Sequence, residues 1–302
     1  MKRIWSTAVT ALGALLLVSA FLSLVPGDPA EAILGEQATE VDREALRRAI
    51  GLDQPVPVQV WRFVRELATG ELRTSVPPFQ EKVLPKLWGA FPNTLLLTGA
   101  ALAVALAIAV PLGVFAARRR GTAWDRAAMA LAVTGAALPR FWLGPVLIIA
   151  FALKLGWLPV SGTGSLRHLV LPAVTLGTAL AAFLSRLTRA QTVEALGEEY
   201  VVVARAKGLS ESRVLWNHAF RNALVPLVTV LGLELGALLG GAIVTEKVFA
   251  WPGMGTLMLS GIERRDYNLV RAAVLAFTFC FVAANALADL AHAWIDPRVR
   301  RR

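Results

Sequence analysis

Long apolar runs separated by short basic segments dominate the chain and predict a helical membrane protein. The runs lie at Ile4 to Val25, Pro92 to Ala117, about Ala127 to Leu153, Leu169 to about Ala190, Ala223 to Thr245 and about Leu269 to Ile295. Each is long enough to cross roughly 30 Å of hydrocarbon as an α-helix. A helix also satisfies its own backbone polar groups, which lipid does not. The predicted fold is therefore an all-α integral membrane protein with six transmembrane helices.

Composition supports this prediction and narrows the partners. Of 302 residues, 56% are hydrophobic and 17% are charged, and the mean hydropathy is +0.59. These values are too apolar for an average soluble domain. The net charge is +10, but the basic residues cluster at the ends of the apolar runs, where membrane orientation and anionic lipid explain them. Membrane lipid is an expected partner and nucleic acid is not.

The basic residues also predict the orientation. Lys2 and Arg3 precede the first run, three arginines follow the second, and a basic tail occupies 296–302. Lys and Arg favour the cytoplasmic side of a membrane. We therefore predict a multi-pass protein of the cell or inner membrane with both termini in the cytoplasm. The five later spans form a core at 92–295, which includes a cytoplasmic loop at 190–222.

The first run has two interpretations. Val18-Ser19-Ala20 fits a signal-peptide cleavage pattern, but the run continues past Ala20 and can span the bilayer. We predict that residues 1–26 are a retained first helix and that 27–91 form a small extracytoplasmic cap. Apolar residues at helical spacing predict two short helices in this cap, at about 41–50 and 58–67.

Two ionisable residues fall near the middle of apolar runs. Arg140 follows Leu138-Pro139, which should kink the third helix, and Glu234 lies in the fifth run. Such residues are costly against lipid and are candidates for function. For Arg140, substrate contact and a purely structural role, by pairing or by reaching the headgroups, both stay open. The small residues between Gly232 and Gly241 predict close helix packing.

The segment from Tyr200 to Pro226 is a polar, basic interruption between two apolar runs. Residues 194–207 are rich in helix formers, Gly208 fits a helix end, and Ser210 fits the cap of a following helix. Small residues at Ala204 and Ala206 would let another protein's surface approach closely, while neighbouring basic residues supply charge. The segment therefore predicts a helix, a glycine turn and a helix that suit docking. An ordinary basic cytoplasmic loop is the alternative interpretation.

A second informative segment runs from Glu246 to Tyr267. Proline and glycines stand beside aromatic residues at the predicted outer boundary, which is typical of a re-entrant turn followed by an amphipathic segment. We expect Trp251 to anchor this segment at the membrane surface.

At these residues the chain resembles a known family. The pattern Y-V-x-x-A-R-A-K-G-L-S at Tyr200 to Ser210, followed by H-A-x-R-N-A-L-x-P, is similar to the coupling (EAA) loop of ABC-importer permeases of the dipeptide, oligopeptide and nickel branch. Other similar patterns are P-G-D-P at 26–29, G-L-D-Q-P at 51–55, E-x-x-F-x-W-P-G-x-G at 246–255 and R-D-Y at 265–267. Two positions depart from the family. The loop's glutamate is replaced by Val202, and Arg73 replaces a glycine in the cap.

This resemblance implies the permease subunit of a binding-protein-dependent ABC importer. Dipeptides or oligopeptides are the cargo it implies, and nickel complexes, glutathione and oligosaccharides are the alternatives. It implies a second related permease, two ATPase subunits and an extracytoplasmic solute-binding protein. The implied ATPase-coupling residues, within 201–213 and its flank, are Tyr200, Ala204, Arg205, Ala206, Lys207, Gly208, Leu209, Ser210 and Arg213. The implied outer-gate residues are Glu246, Phe249, Trp251, Pro252, Gly253, Gly255 and Asp266.

The sequence contains no catalytic constellation. The phosphate-loop pattern G-x-x-x-x-G-K-[ST] is absent, the three histidines are far apart, and the single Cys280 lies in an apolar run. We therefore expect no metal site, no enzyme activity and no cofactor in this chain, with ATP and Mg²⁺ bound by partner subunits. A secondary transporter, which would show paired broken helices in two inverted halves, and a membrane-embedded enzyme are the competing hypotheses.

Overall fold

The computed structural model describes residues 2–24, 29–35, 38–51, 53–76 and 80–295. Within these ranges the regular elements are all helical. They are α1 (Lys2–Leu24), α2 (Pro29–Leu34), α3 (Glu40–Ile50), α4 (Val56–Thr69), α5 (Val83–Arg118), α6 (Ala123–Ala137), α7 (Arg140–Leu147), α8 (Leu166–Leu196), α9 (Glu199–Ala206), α10 (Glu211–Arg213), α11 (Arg221–Val248), α12 (Met254–Glu263) and α13 (Tyr267–Ile295). Short π-helical segments, Ile148–Lys154 and Val214–Phe220, continue α7 and connect α10 to α11. Most of the P-G-D-P motif and the basic tail lie outside the described residues.

Four helices in the described ranges are long and apolar enough to cross a membrane. They are Val83–Arg118, Leu166–Leu196, Glu211–Val248 and Tyr267–Ala288. The pair α6 and α7, with its π-helical extension, makes a fifth if it counts as one broken span, and α1 contains a shorter apolar stretch, Val9–Leu22. The predicted helical membrane fold is present. Six spans and cytoplasmic termini stay predictions.

The third apolar run is broken at Leu138 and Pro139, as predicted. α6 begins at its N-cap Thr122, whose side chain accepts a hydrogen bond from the Asp125 amide, and ends at Ala137. Leu138 is extended, with ψ of 119°, as expected for a residue before proline. The two halves of the run are bent by 101°. The run therefore forms two helices that meet at a sharp break.

The chain divides into two compact units. The first comprises 1–94 and 252–282 and contains most of the predicted cap. Its core is made by α1, α4, the start of α5 and α13, around the buried side chains of Phe63, Leu72 and Val83. Gly51 and Gly70 adopt positive φ of 74° to end α3 and α4. Arg73, in place of the family's glycine, forms an isolated antiparallel bridge with Lys82.

The second unit comprises 95–251 and 283–302 and is built around α8, where many side chains are buried. Gly177 lets α5 approach α8 closely, because a Cβ at this position would lie 2.6 Å from the Ala101 carbonyl oxygen. An ion pair joins α6 to α8, with Arg189 Nε and Nη2 at 2.6 and 2.7 Å from the two carboxylate oxygens of Asp125. Asp125 is buried at 3% exposure, so this pair fixes the two helices in register.

Candidate functional site

The polar segment after α8 folds as a helix, a glycine turn and a helix. α9 is followed by Lys207 and by Gly208, whose φ of +77° falls in the left-handed region that glycine adopts at low cost. The helix formers of 194–207 are not continuous, because α8 ends at Leu196 and Gly197 and Glu198 interrupt the chain before α9. Ser210 occupies the N-cap position of α10, but its side chain makes no capping hydrogen bond. The predicted shape is confirmed and the predicted cap is wrong.

A small apolar cluster holds α9 in place. Val201, Ala204 and Val214 are buried at 0%, 5% and 0% exposure, with Tyr200 and Leu209 packed at the edge. The cluster joins one side of α9 to the start of the following π-helical segment. Ala204 therefore faces the interior of the loop. Its predicted role as an open surface for close docking is wrong, because Ala204 is buried in this cluster.

The opposite side of α9 is exposed and partly apolar. Val202 and Val203 are 62% and 53% exposed, and Ala206 is exposed between them. At 100° per residue these three side chains share one face, turned away from Val201 and Ala204. We call Val202, Val203 and Ala206 the α9 face. The sequence marks Val202 only as the site of a missing glutamate, and no sequence signal singles out Val203.

Charged groups border the α9 face. Arg205 donates two hydrogen bonds to the carboxylate of Glu211, at 2.8 and 3.2 Å, and so bridges the glycine turn. This contact raises the pKa of the Arg205 guanidinium, so it stays charged. Lys207 and Arg213 are exposed. Tyr200 lies in a pocket of about 250 Å³ together with Glu194, Glu198 and Asn222.

The predicted outer segment is divided between the two units. In the second unit, Glu246, Phe249 and Trp251 are buried at 0%, 1% and 3% exposure. The Trp251 amide donates to the Glu246 carbonyl at 2.8 Å, and the Gly162 amide donates to the Phe249 carbonyl at 2.9 Å. Trp251 belongs to the core of this unit. Its predicted role as a surface anchor is therefore wrong.

The rest of the outer segment lies in the first unit, where Gly253 precedes α12 and Gly255 is buried. The Pro252 carbonyl accepts from Asn93 Nδ2 at 2.8 Å. Asp266 is 3% exposed and accepts from the amides of Ser75 and Leu269 at 2.9 and 3.1 Å. Burial raises the pKa of this carboxyl above its usual range. Asp266 thus ties the cap loop to the start of α13.

The intramembrane ionisable residues lie apart. Arg140 begins α7, and its guanidinium covers Gly241 of α11, since a methyl group added at Gly241 would overlap Arg140 Nη1 and press on Leu176. Glu234 is half-buried on α11, two turns earlier. No ion pair joins the two within the described part of the chain. Nor do the described residues contain a group of acidic, histidine or cysteine side chains that could hold a metal.

Comparison with known families decides the identity. The family model for the binding-protein-dependent transport system inner membrane component matches residues 109–301. The model for the N-terminal part of such membrane components matches 1–98. The chain belongs to this family. It is the permease subunit of an ABC importer in the inner membrane, and the resemblance drawn from the coupling-loop motifs is confirmed.

Curated family members agree along nearly the whole chain. The glutathione transport system permease protein GsiC of Pectobacterium atrosepticum is 42% identical over 304 residues, covering 99% of this chain and 98% of that protein. GsiC of Salmonella typhimurium is 41% identical over 300 residues, with the same coverage. These relatives are transport subunits, which supports a non-enzymatic role for this family member. ATPase subunits and a solute-binding protein are its expected partners.

Solved structures support the same fold. The methionine ABC transporter MetNI, in an inward-facing conformation, aligns with a TM-score of 0.62 at 18% identity, over 72% of this chain and 100% of that chain. An amino acid ABC transporter crystallised with histidines aligns with a TM-score of 0.53 at 15% identity, over 69% and 94% of the two chains. At these identities the alignment establishes the fold of this permease and no more.

Proposed function

We propose that this chain forms half of the pathway of an importer for glutathione or a similarly small peptide. Identity of 40% or more with several GsiC permeases, over 98% of their length, supports glutathione as the first cargo to test. Dipeptides and oligopeptides, nickel complexes and oligosaccharides are the other cargoes of the branch. The binding protein selects the cargo, and this chain conducts it.

The proposed topology has six spans and cytoplasmic termini. α1 is the first span, and the broken pair α6 and α7 acts as one, which adds to the four long apolar helices. This arrangement places α9 on the cytoplasmic side, as the basic residues around it favour. A second permease, related to this chain, completes the pathway.

The α9 face carries the proposed contact with an ATPase subunit. Exposed valines on a short helix are unfavourable in water, and a partner that covers them gains the hydrophobic free energy. The buried cluster on the other side of α9 fixes this face relative to α11, since Val214 lies in the segment that leads into α11. Movement of the ATPase subunit is therefore transmitted to a membrane helix.

The absent glutamate fits this apolar contact. Val202 occupies the glutamate position, so a polar lock is replaced here by an apolar side chain that is 62% exposed. Arg205 keeps its own carboxylate partner, Glu211, within the loop. We propose that ATP and Mg²⁺ bind to the ATPase subunits, that ATP draws these subunits together, and that α9 passes the motion on as alternating access.

The experiment is reconstitution of the importer in proteoliposomes. The chain is combined with its second permease, its ATPase subunits and its binding protein, and uptake of labelled glutathione is compared with uptake of a labelled dipeptide. Uptake that needs ATP, the ATPase subunits and the binding protein supports the proposal. Glutathione should compete with its own label, and a dipeptide should not. ATP-driven uptake of the dipeptide, without uptake of glutathione, would show that the cargo is a dipeptide. Uptake without ATP would refute the ATP-driven import mechanism.

A further inference from the structure

A partly open polar cavity lies in the first unit, between residues of the predicted cap and the start of α13. Its volume is about 280 Å³, just below the range of typical small-molecule sites. Side chains and backbone from the end of α3, α4, the bridge region and the start of α13 line it. The cavity is separate from the α9 face and from the Arg140 position, and neither the family comparison nor the transport mechanism requires it.

Arg271 of α13 is one of the residues that line the cavity. This side chain is 5% exposed, and its Nη2 donates to Gln59 Oε1 at 2.8 Å. The Gln59 amide is held for this contact, because its Nε2 donates to the Gln54 carbonyl at 2.8 Å. Arg271 Nε is buried without a hydrogen-bond partner. A charged group at this depth is unfavourable unless an opposite charge accompanies it.

The acidic residues at the cavity do not supply that charge. Glu66 accepts from Arg62 at 2.8 Å, and Glu71 accepts from Lys82 at 3.0 Å. Among the described residues, no carboxylate forms an ion pair with Arg271. The cavity lining contains three arginines and two glutamates, so one positive charge is in excess. Arg271 therefore lines a polar cavity without a carboxylate partner.

We propose that this cavity binds the carboxylate of a small solute, with Arg271 as the anchoring residue. Guanidinium and carboxylate match as a planar, hydrogen-bonded pair. The carboxylate supplies the opposite charge that Arg271 lacks. Glu66 and Glu71 are already paired with Arg62 and Lys82, and the rest of the lining is mainly polar, which favours a small polar solute that carries one carboxylate. The volume limits the occupant to roughly the size of a dipeptide.

The test uses the full-length chain in mild detergent and measures its thermal unfolding midpoint at constant ionic strength. The probe is glycylglycine, and the ligand control is glycylglycinamide, which has nearly the same size but lacks the carboxylate. The dipeptide should raise the midpoint in a saturable way and the amide should not. An equal response to the amide, or to sodium chloride alone, overturns the proposal.

Variants locate the binding. Arg271→Gln keeps a hydrogen-bonding group but removes the charge, and it should weaken the apparent affinity about 10- to 100-fold, as expected for a charged hydrogen bond. Arg65→Gln is the matched control, since Arg65 is exposed on α4 and outside the lining; it should respond as the native chain does. Unchanged affinity of Arg271→Gln overturns the proposal.

A third variant covers failure of the glutamine variant to fold. Arg271→Lys keeps the positive charge but loses the planar donor pair, and it should weaken glycylglycine binding several-fold while it still folds. Native affinity in Arg271→Lys would overturn the bidentate role. This site can be tested separately from the transport mechanism. A chain that assembles with its ATPase subunits but does not bind glycylglycine would refute the cavity site and leave the transport mechanism standing.

Discussion

Replacement of the two valines of the α9 face should weaken binding of the ATPase subunit without unfolding the permease. The variant is Val202→Ser combined with Val203→Ser. Serine and valine have similar helix propensities, and both valines are more than half exposed. The buried cluster beneath α9 is untouched, so the fold of the loop should be preserved.

The expected loss of binding free energy follows from the exposed fraction of each valine. Full burial of a valine contributes about 1.5–3 kcal/mol, and the exposed fractions of 62% and 53% leave about 1–2 kcal/mol for each side chain in a complex. The double variant then loses about 2–3 kcal/mol, which is about 30- to 150-fold in the dissociation constant. Association also orders side chains, so this is the upper range, and a loss of at least about tenfold is expected.

The assay is a fluorescence titration of labelled ATPase subunits against the permease in nanodiscs. Val58→Ser is the control, because Val58 is 44% exposed on α4 in the predicted cap. It should bind the ATPase subunits with native affinity. Affinity of the double variant within about twofold of the native value, with unfolding unchanged, would refute the assignment of the α9 face.

Three further substitutions test the packing that supports this site. Asp125→Ala should lower the free energy of unfolding in detergent by about 2–3 kcal/mol. This is less than the loss for a fully buried ion pair, because the Arg189 side chain is 28% exposed. A loss under about 0.5 kcal/mol would contradict this prediction. Gly177→Ala should lower the free energy of unfolding by about 1–3 kcal/mol, because the added methyl group overpacks the contact with α5. Gly240→Ala is the control: a Cβ there meets open space, so this variant should be neutral or stabilising. Equal effects of the two substitutions would contradict close packing at Gly177. Gly208→Ala should destabilise the loop by about 1–2 kcal/mol, because position 208 has a left-handed backbone. The loss should appear as faster amide hydrogen exchange in α9, and Gly208→Asn should cost less. Native exchange rates in the alanine variant would refute strain at the turn.

The sequence predicted helices well because each long apolar run must form one in lipid. It also predicted the shape of the polar loop, since only glycine adopts the backbone of position 208 at low cost. The backbone preference of a residue that precedes proline predicts the break at Leu138, but not the angle between the two helices. A proline prevents the preceding residue from continuing a helix, whereas the 101° bend depends on what the two halves pack against.

Burial was less accessible from the sequence. Ala204 and Ala206 are the same residue type on the same short helix. Ala204 is nevertheless buried in the cluster that contains Val214, whereas Ala206 is exposed. Trp251 resembles an interfacial anchor in sequence, but it packs into the core of the second unit. The charge of Arg271 gave no signal, because it stands near the end of an apolar run where arginines commonly reach the headgroups. In each case the deciding contact comes from a residue distant in the chain or from the next helix.

The most direct test of the account is a photo-cross-link from the centre of the α9 face. In a Cys280→Ser background, Ala206→Cys is labelled with benzophenone maleimide within the assembled importer. Thr163→Cys serves as the matched control, because Thr163 lies between Lys154 and α8, on the outer side in the proposed topology. If α9 contacts an ATPase subunit, residue 206 should cross-link to that subunit and residue 163 should not. An intact importer in which residue 206 labels no ATPase subunit, or in which residue 163 labels it equally, would contradict the account.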